Sequence, residues 1–148
     1  MSAREATDDQ GITTIRHRVD YSETDQMGVV YHARYLVWLD VARTELLRTT
    51  GVSYRELETL GLRLMVSDLL VTYRRAARYD DAIRVRCWVR EVASRRITFG
   101  YAVEHDESGE LLATAKTALL VLDHRFAFAR LPAVVADLLV PTPDPVRL

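Results

Sequence analysis

Tyr21-Ser22-Glu23-Thr24-Asp25-Gln26-Met27-Gly28-Val29-Val30-Tyr31-His32-Ala33-Arg34-Tyr35 is the stretch that decides the fold of this chain. A polar loop with two carboxylates passes through a glycine into an apolar segment, Tyr31 to about Thr49, that reads as a long helix. Leu36, Val37, Trp38, Leu39, Val41 and Ala42 leave the first half of that helix little polar face, so it is expected to be buried. Gly51 stands just past its end, where a glycine commonly closes a helix. Ser53-Tyr54-Arg55-Glu56 has capping-box spacing and opens a short second helix to Leu60, stopped by Gly61.

Working outward, Ile12 to Asp20 alternates as a first strand, with Ile15 and Val19 among its apolar members. Downstream, Leu62–Tyr73, Ala82–Val92, Ile97–His105 and Leu111–Leu122 all favour strands. Val85, Cys87 and Val89 alternate with Arg84, Arg86, Trp88 and Arg90, the period of a half-exposed sheet. Ser108-Gly109 predicts a hairpin turn between two of these runs, and Ala133–Leu139 a closing helical turn after Pro132. Strand, long helix, short helix and four long strands in that order predict an α+β fold, an antiparallel sheet wrapped on one face around a helix. Arg86, Trp88 and Arg90 would lie on its outer face, with Trp88 marking a subunit contact. One domain, residues 12–140, is expected between flexible termini at 1–11 and 141–148.

Composition narrows the function classes. A chain of 148 residues with 49% hydrophobic and 28% charged residues suits one globular domain with an ordinary core. Its net charge of −1 gives no basis for nucleic-acid binding. Of the 20 basic residues only Lys116 is lysine. Cys87 stands alone, which rules out an internal disulfide and fits a reducing, cytoplasmic setting. The polar residues 1–10 do not have the pattern of a signal peptide, and no apolar run approaches the length of a membrane span.

There is no glycine-rich phosphate loop and no Gly-x-Ser-x-Gly elbow. His17, His32, His105 and His124 are scattered without metal-ligand spacing. Cys87, mid-strand on the apolar face, is expected to be a small buried hydrophobe. That leaves the opening stretch. Asp25 could attack an acyl carbon or act as general base on water, with backbone N–H groups near Tyr31 and His32 polarising the carbonyl oxygen. It could equally order a turn through side-chain to backbone bonds.

The run Tyr21–Tyr35, followed by Ala42-Arg43-Thr44-Glu45-Leu46-Leu47-Arg48, resembles the acyl-CoA thioesterases of the 4-hydroxybenzoyl-CoA thioesterase class, and within it the YbgC-like branch. Ala76-Ala77-Arg78-Tyr79-Asp80-Asp81 and Leu122-Asp123 also fit, and the likeness covers roughly residues 13 to 135. It implies a hotdog fold and an enzyme that hydrolyses acyl-CoA, or an acyl-carrier-protein thioester, with no metal and no redox cofactor, coenzyme A being part of the substrate.

By position the resemblance casts Asp25 as the catalytic carboxylate, nucleophile or general base. It assigns His32 the backbone N–H to the thioester oxygen, with a ring that orients loop or substrate. Gly28 lets the backbone turn beside the substrate. Met27, Val29, Tyr31 and Met65 would line the acyl pocket, and Arg74, Arg75, Arg125 and Arg130 are partners for the coenzyme A phosphates. The family often shows a proline where this chain has Arg74-Arg75-Ala76-Ala77. The resemblance also implies a homo-oligomer, a dimer or a tetramer of paired dimers, the tetramer preferred, with the site at the dimer interface. Two alternatives are a hotdog protein that binds acyl-CoA without turnover and an enoyl-thioester hydratase using His32 and Glu45.

Overall fold

Residues 3–4 and 7–148 are described by the structure, a computed structural model. The flexibility expected of the N-terminus falls in part on residues 1, 2, 5 and 6, which lie outside the described residues. Two short strands, β1 (Ala3–Arg4) and β2 (Thr13–Arg18), lead to a single 3-10 turn at Tyr21–Glu23. Helix α1 (Arg34–Thr49) and the short α2 (Tyr54–Thr59) follow. Then come four long strands, β3 (Leu62–Tyr73), β4 (Ala82–Val92), β5 (Arg96–His105) and β6 (Leu111–Asp123), and a last helical turn, α3 (Ala133–Ala136). The strands form one antiparallel sheet in the order β1-β2-β4-β5-β6-β3. This is the α+β hotdog architecture.

Local chemistry set most of the boundaries. Ser53 Oγ accepts the Glu56 N–H while the Glu56 carboxylate accepts the Ser53 N–H, so the capping box closes reciprocally and starts α2. Gly51 and Gly61 take positive φ at the ends of the two helices. The long helix begins at Arg34, three residues later than expected, because the chain from Tyr31 to Ala33 is spent on joining the loop.

Helix α1 lies across β2 and β4, and turns Tyr35, Trp38, Leu39, Ala42 and Leu46 into the core. These positions recur at helical spacing and define one face. Burial does not extend all the way round. Val37 and Val41 remain 52% and 39% exposed. They accompany Met65, Val66, Leu69, Leu70 and Tyr73, which are exposed on β3. β3 pairs with β6 along one side and ends the sheet, with a bulge between Val66 and Asp68. A twelve-residue strand, mostly apolar, at an open edge is a template for another strand.

The outer face of the sheet differs from expectation. Trp88 is fully buried, so it is not an exposed subunit contact. Ile12, Ala102, Leu111, Val146 and Leu148 pack around it. Its indole N–H donates to Asp144 at 2.8 Å, and Arg90 donates to both oxygens of the same carboxylate. The Thr142 N–H reaches the Val89 carbonyl at 2.7 Å. The segment 141–148, expected to be loose, is therefore a strap laid over the sheet. Gly100 sits opposite Trp88 in the ladder, where an added Cβ would fall 2.5 Å from the ring.

Candidate active site

The loop between β2 and α1 is a small hairpin. Thr24 and Val30 form an isolated bridge, and the Asp25 N–H donates to the Val29 carbonyl. The Gly28 N–H returns to the Asp25 carbonyl, with Gly28 at φ +77. A Cβ at that glycine would meet no protein atom within 4 Å, so its constraint is the backbone angle, and the space beside it is open. The half-buried Asp25 accepts the Met27 N–H through Oδ1 at 2.9 Å. The carboxylate therefore does order a turn, and its second oxygen keeps its lone pairs for other work.

The returning arm is pinned twice. The Val30 N–H donates to Ala77 O and the Tyr31 N–H to Glu23 O, both at 2.8 Å. The Tyr31 amide is thus already spent, contrary to the sequence expectation. The next two amides, His32 and Ala33, have no acceptor among the described residues. They stand at the start of α1, where unsatisfied N–H groups and the helix dipole favour negative charge. The Tyr73 hydroxyl donates to the His32 carbonyl at 2.7 Å, and the exposed His32 ring lies beside those of Tyr31 and Tyr73.

Asp25, Met27, Gly28, Val29, Tyr31 and His32 therefore share one loop, and Arg74 and Arg75 follow Tyr73 at the same end of the sheet. The remaining candidates do not join them within one chain. Met65 is about 26 Å back along β3 from Tyr73. Arg125 and Arg130 follow β6 at the end where Asp123 pairs with Leu62, a full strand length from Arg74. Arg75 is engaged with Glu110 at 3.2 Å. Glu45 pairs with Arg48 at 2.6 Å and lies about 16 Å along the helix axis from Arg34. Within one chain it is not placed to act with His32, as the hydratase alternative would have it. Cys87 is buried as expected, and burial pushes its thiol pKa well up.

Glu23 has a larger part than its loop position suggests. It is buried, and its Oε1 accepts His17 Nε2–H at 2.6 Å and the Asp20 N–H at 2.8 Å. Its Oε2 accepts the Trp38 indole N–H at 2.7 Å. Burial alone would raise its pKa, but the bonds from Asp20, His17 and Trp38 outweigh that and hold it below the usual range. The capping-box spacing of Asp20 and Glu23 is the one local signal of this cluster, and the partners His17 and Trp38 come from β2 and α1.

Two of the cavities that lie away from Asp25 are bordered by a helix. One of about 420 Å³ is lined by Tyr54, Gly61, Arg63 and His124, at the far end of β3. The other, about 320 Å³, runs between α1 and β3, past Val37, Arg43, Val66 and Leu69. It joins the exposed apolar stripe of the helix to that of the edge strand.

Sequence and structure comparisons place this arrangement. Residues 19–139 match the thioesterase-like superfamily. The putative acyl-CoA thioesterase YneP of Bacillus subtilis is 35% identical over 105 residues, 71% of this chain and 75% of the relative. The acyl-CoA thioesterase YbgC of Haemophilus influenzae is 40% identical over 106 residues, 71% of this chain and 78% of the relative. Among solved structures, a DHNA-CoA thioesterase from Staphylococcus aureus superposes with a TM-score of 0.74 at 32% identity, covering 81% of this chain and 79% of that one.

The chain belongs to the thioesterase-like superfamily. As a member of that family with the hotdog fold, it is a thioester hydrolase.

Proposed function

We propose that this enzyme hydrolyses acyl-CoA thioesters to free acid and coenzyme A, using Asp25 as general base or nucleophile and the His32 N–H as the carbonyl-polarising donor. The observation that carries the proposal is the pairing of a half-buried carboxylate with unspent helix-start amides, joined by one hairpin and opening onto free space at Gly28. In the general-base route, Asp25 takes a proton from water as the oxygen adds to the acyl carbon. The oxyanion is held by the amide, the C–S bond breaks, and the departing thiolate takes up a proton. In the nucleophilic route Asp25 adds to the acyl carbon and expels the coenzyme A thiolate, which takes up a proton, and water then opens the resulting mixed anhydride to the free acid and Asp25. Neither route needs a metal or redox cofactor. No described helix is long and apolar enough to cross a membrane. We place the reaction in the cytoplasm, a reducing compartment in which the lone Cys87 stays a free thiol.

The working unit of this proposal is a dimer formed along β3. The open edge of β3, whose outer backbone groups are left to pair, and the exposed apolar stripe of Val37, Val41, Val66 and Leu69 support it. Antiparallel pairing of two β3 strands would set one chain's Tyr73 end beside its partner's Leu62 end. It would thereby bring Arg125 and Arg130 of one copy toward Arg74 and Asp25 of the other, and the partner's Met65 toward the acyl pocket. Pairing of such dimers into a tetramer would have to avoid the outer face, which the strap occupies.

A panel of acyl-CoA and acyl-carrier-protein thioesters, followed by free thiol release, tests the activity and gives the acyl preference. Binding without thiol release across the panel would reject hydrolysis in favour of an acyl-CoA sensor. Leu69→Lys tests the assembly. It should shift the protein to monomer by analytical ultracentrifugation and depress turnover together, and a fully active monomer would sink the shared site.

A further inference from the structure

The base of the Asp25 hairpin sits inside a closed circuit of contacts. Trp38 Nε1–H donates to Glu23 Oε2, and the Trp38 and Tyr35 rings lie 4.8 Å apart. The Tyr35 hydroxyl accepts the Ala77 N–H, and the Ala77 carbonyl accepts the Val30 N–H. One residue on, the Tyr31 N–H returns to the Glu23 carbonyl. Both arms of the hairpin are thus tied to one residue, which also joins β2 through His17 and α1 through Trp38. From Tyr35 a further edge contact at 5.1 Å leads to Tyr73, whose hydroxyl holds the His32 carbonyl. The carboxylate and the free amide of the site are set by the same scaffold.

We propose that Glu23 is the positioning residue of this enzyme, fixing Asp25 and the His32 N–H relative to each other. The proposal rests on the role given above to Asp25. Its side chain makes no claim on the substrate, since it is buried and fully engaged with protein donors. The chemistry requires a carboxylate. All three partners of Glu23 are donors, and only an acceptor-only group meets them all. Glutamine has the same shape, but whichever way its amide turns, an NH₂ faces a buried donor. A displacement of the loop by an ångström is enough to cost about 100-fold in rate.

The test compares Glu23→Gln, Glu23→Asp, Trp38→Phe and the E23Q/W38F double variant by steady-state kinetics, at temperatures where each is folded by near-UV circular dichroism. E23Q is expected to lose about 10- to 100-fold in kcat with KM little changed. In the double variant the W38F substitution removes the indole donor that opposes the amide, so kcat should recover part of that loss. A purely structural role would lower the melting temperature without splitting kcat from KM in this way. Should E23Q not fold, E23D carries the test. It keeps the charge but is one methylene short, and kcat should again fall at constant KM. The proposal is overturned if both variants keep kcat within about twofold, or if E23Q loses it and W38F restores none. Asp25→Asn in parallel separates the failures. Turnover retained in D25N removes Asp25 and this proposal with it. Turnover lost in D25N but kept in E23Q and E23D removes only the role of Glu23.

Discussion

Two irregular segments of this protein are held by the same bond, a carboxylate accepting an indole N–H. Glu23 takes the Trp38 N–H at 2.7 Å beneath the β2–α1 loop, and Asp144 takes the Trp88 N–H at 2.8 Å on the opposite face of the sheet. Their surroundings differ. Glu23 is buried and meets donors from β2, its own turn and α1. Asp144 is solvent-accessible, and its second partner is Arg90 on the same strand as Trp88. The first carboxylate is locked at a junction of three elements, where it sets the geometry of a site. The second closes a cover over an apolar side chain, where the result is burial. A hydrogen bond of one type serves precision in one place and shielding in the other, according to how many elements it joins.

Substitutions on the two sides should therefore separate activity from stability. The largest effect is expected from Asp25→Asn, which keeps the hairpin, because its amide oxygen still accepts the Met27 N–H, while losing the base. Hydrolysis of the best acyl-CoA should fall by about 10²- to 10⁴-fold with the unfolding midpoint little changed. A variant with most of its turnover would break the comparison. Trp88→Ala should do the reverse. Emptying that site should cost about 3–5 kcal/mol in denaturant unfolding, with kcat per folded molecule retained. A loss of kcat at full folding would show that the outer face reaches the site.

Smaller effects sharpen the contrast. Asp144→Ala should loosen the strap at a cost of about 1 kcal/mol, raising Trp88 fluorescence quenching by iodide without changing turnover. Acid should distinguish the two carboxylates as well. The folded-state pKa of Glu23 is depressed, so its ionisation contributes stability above the ordinary glutamate value of about 4.3, and that contribution disappears as pH falls through the folded value. The stability difference between wild type and E23Q should accordingly shrink as pH drops below about 4.3. A difference that is flat across that window would show that Glu23 titrates as it does in the unfolded chain.

Much of the architecture was legible because it is encoded over short range. The edges of β3 and β4 and the capping box at Ser53 follow from alternation, propensity and contacts three residues apart. The resemblance carried by Tyr21–Tyr35 located the loop that holds Asp25, Gly28 and His32. It also assigned the polarising amide to His32, whereas the residues alone left Tyr31 and His32 open, because the Tyr31 N–H is consumed by a carbonyl eight residues back and spacing does not distinguish that amide from its neighbours.

The sequence by itself determined the order of elements, the strand alternation and the loop that carries the carboxylate, since these depend on neighbours in the chain. Tertiary structure alone decided the rest. It buried Trp88 under a residue 56 positions away, and joined Glu23 to Trp38 across 15. It also set Arg74 and Arg125 at opposite ends of one strand pair. Those outcomes follow from how the sheet and helix close on each other, where contacts form between side chains whose separation along the chain carries no period to read.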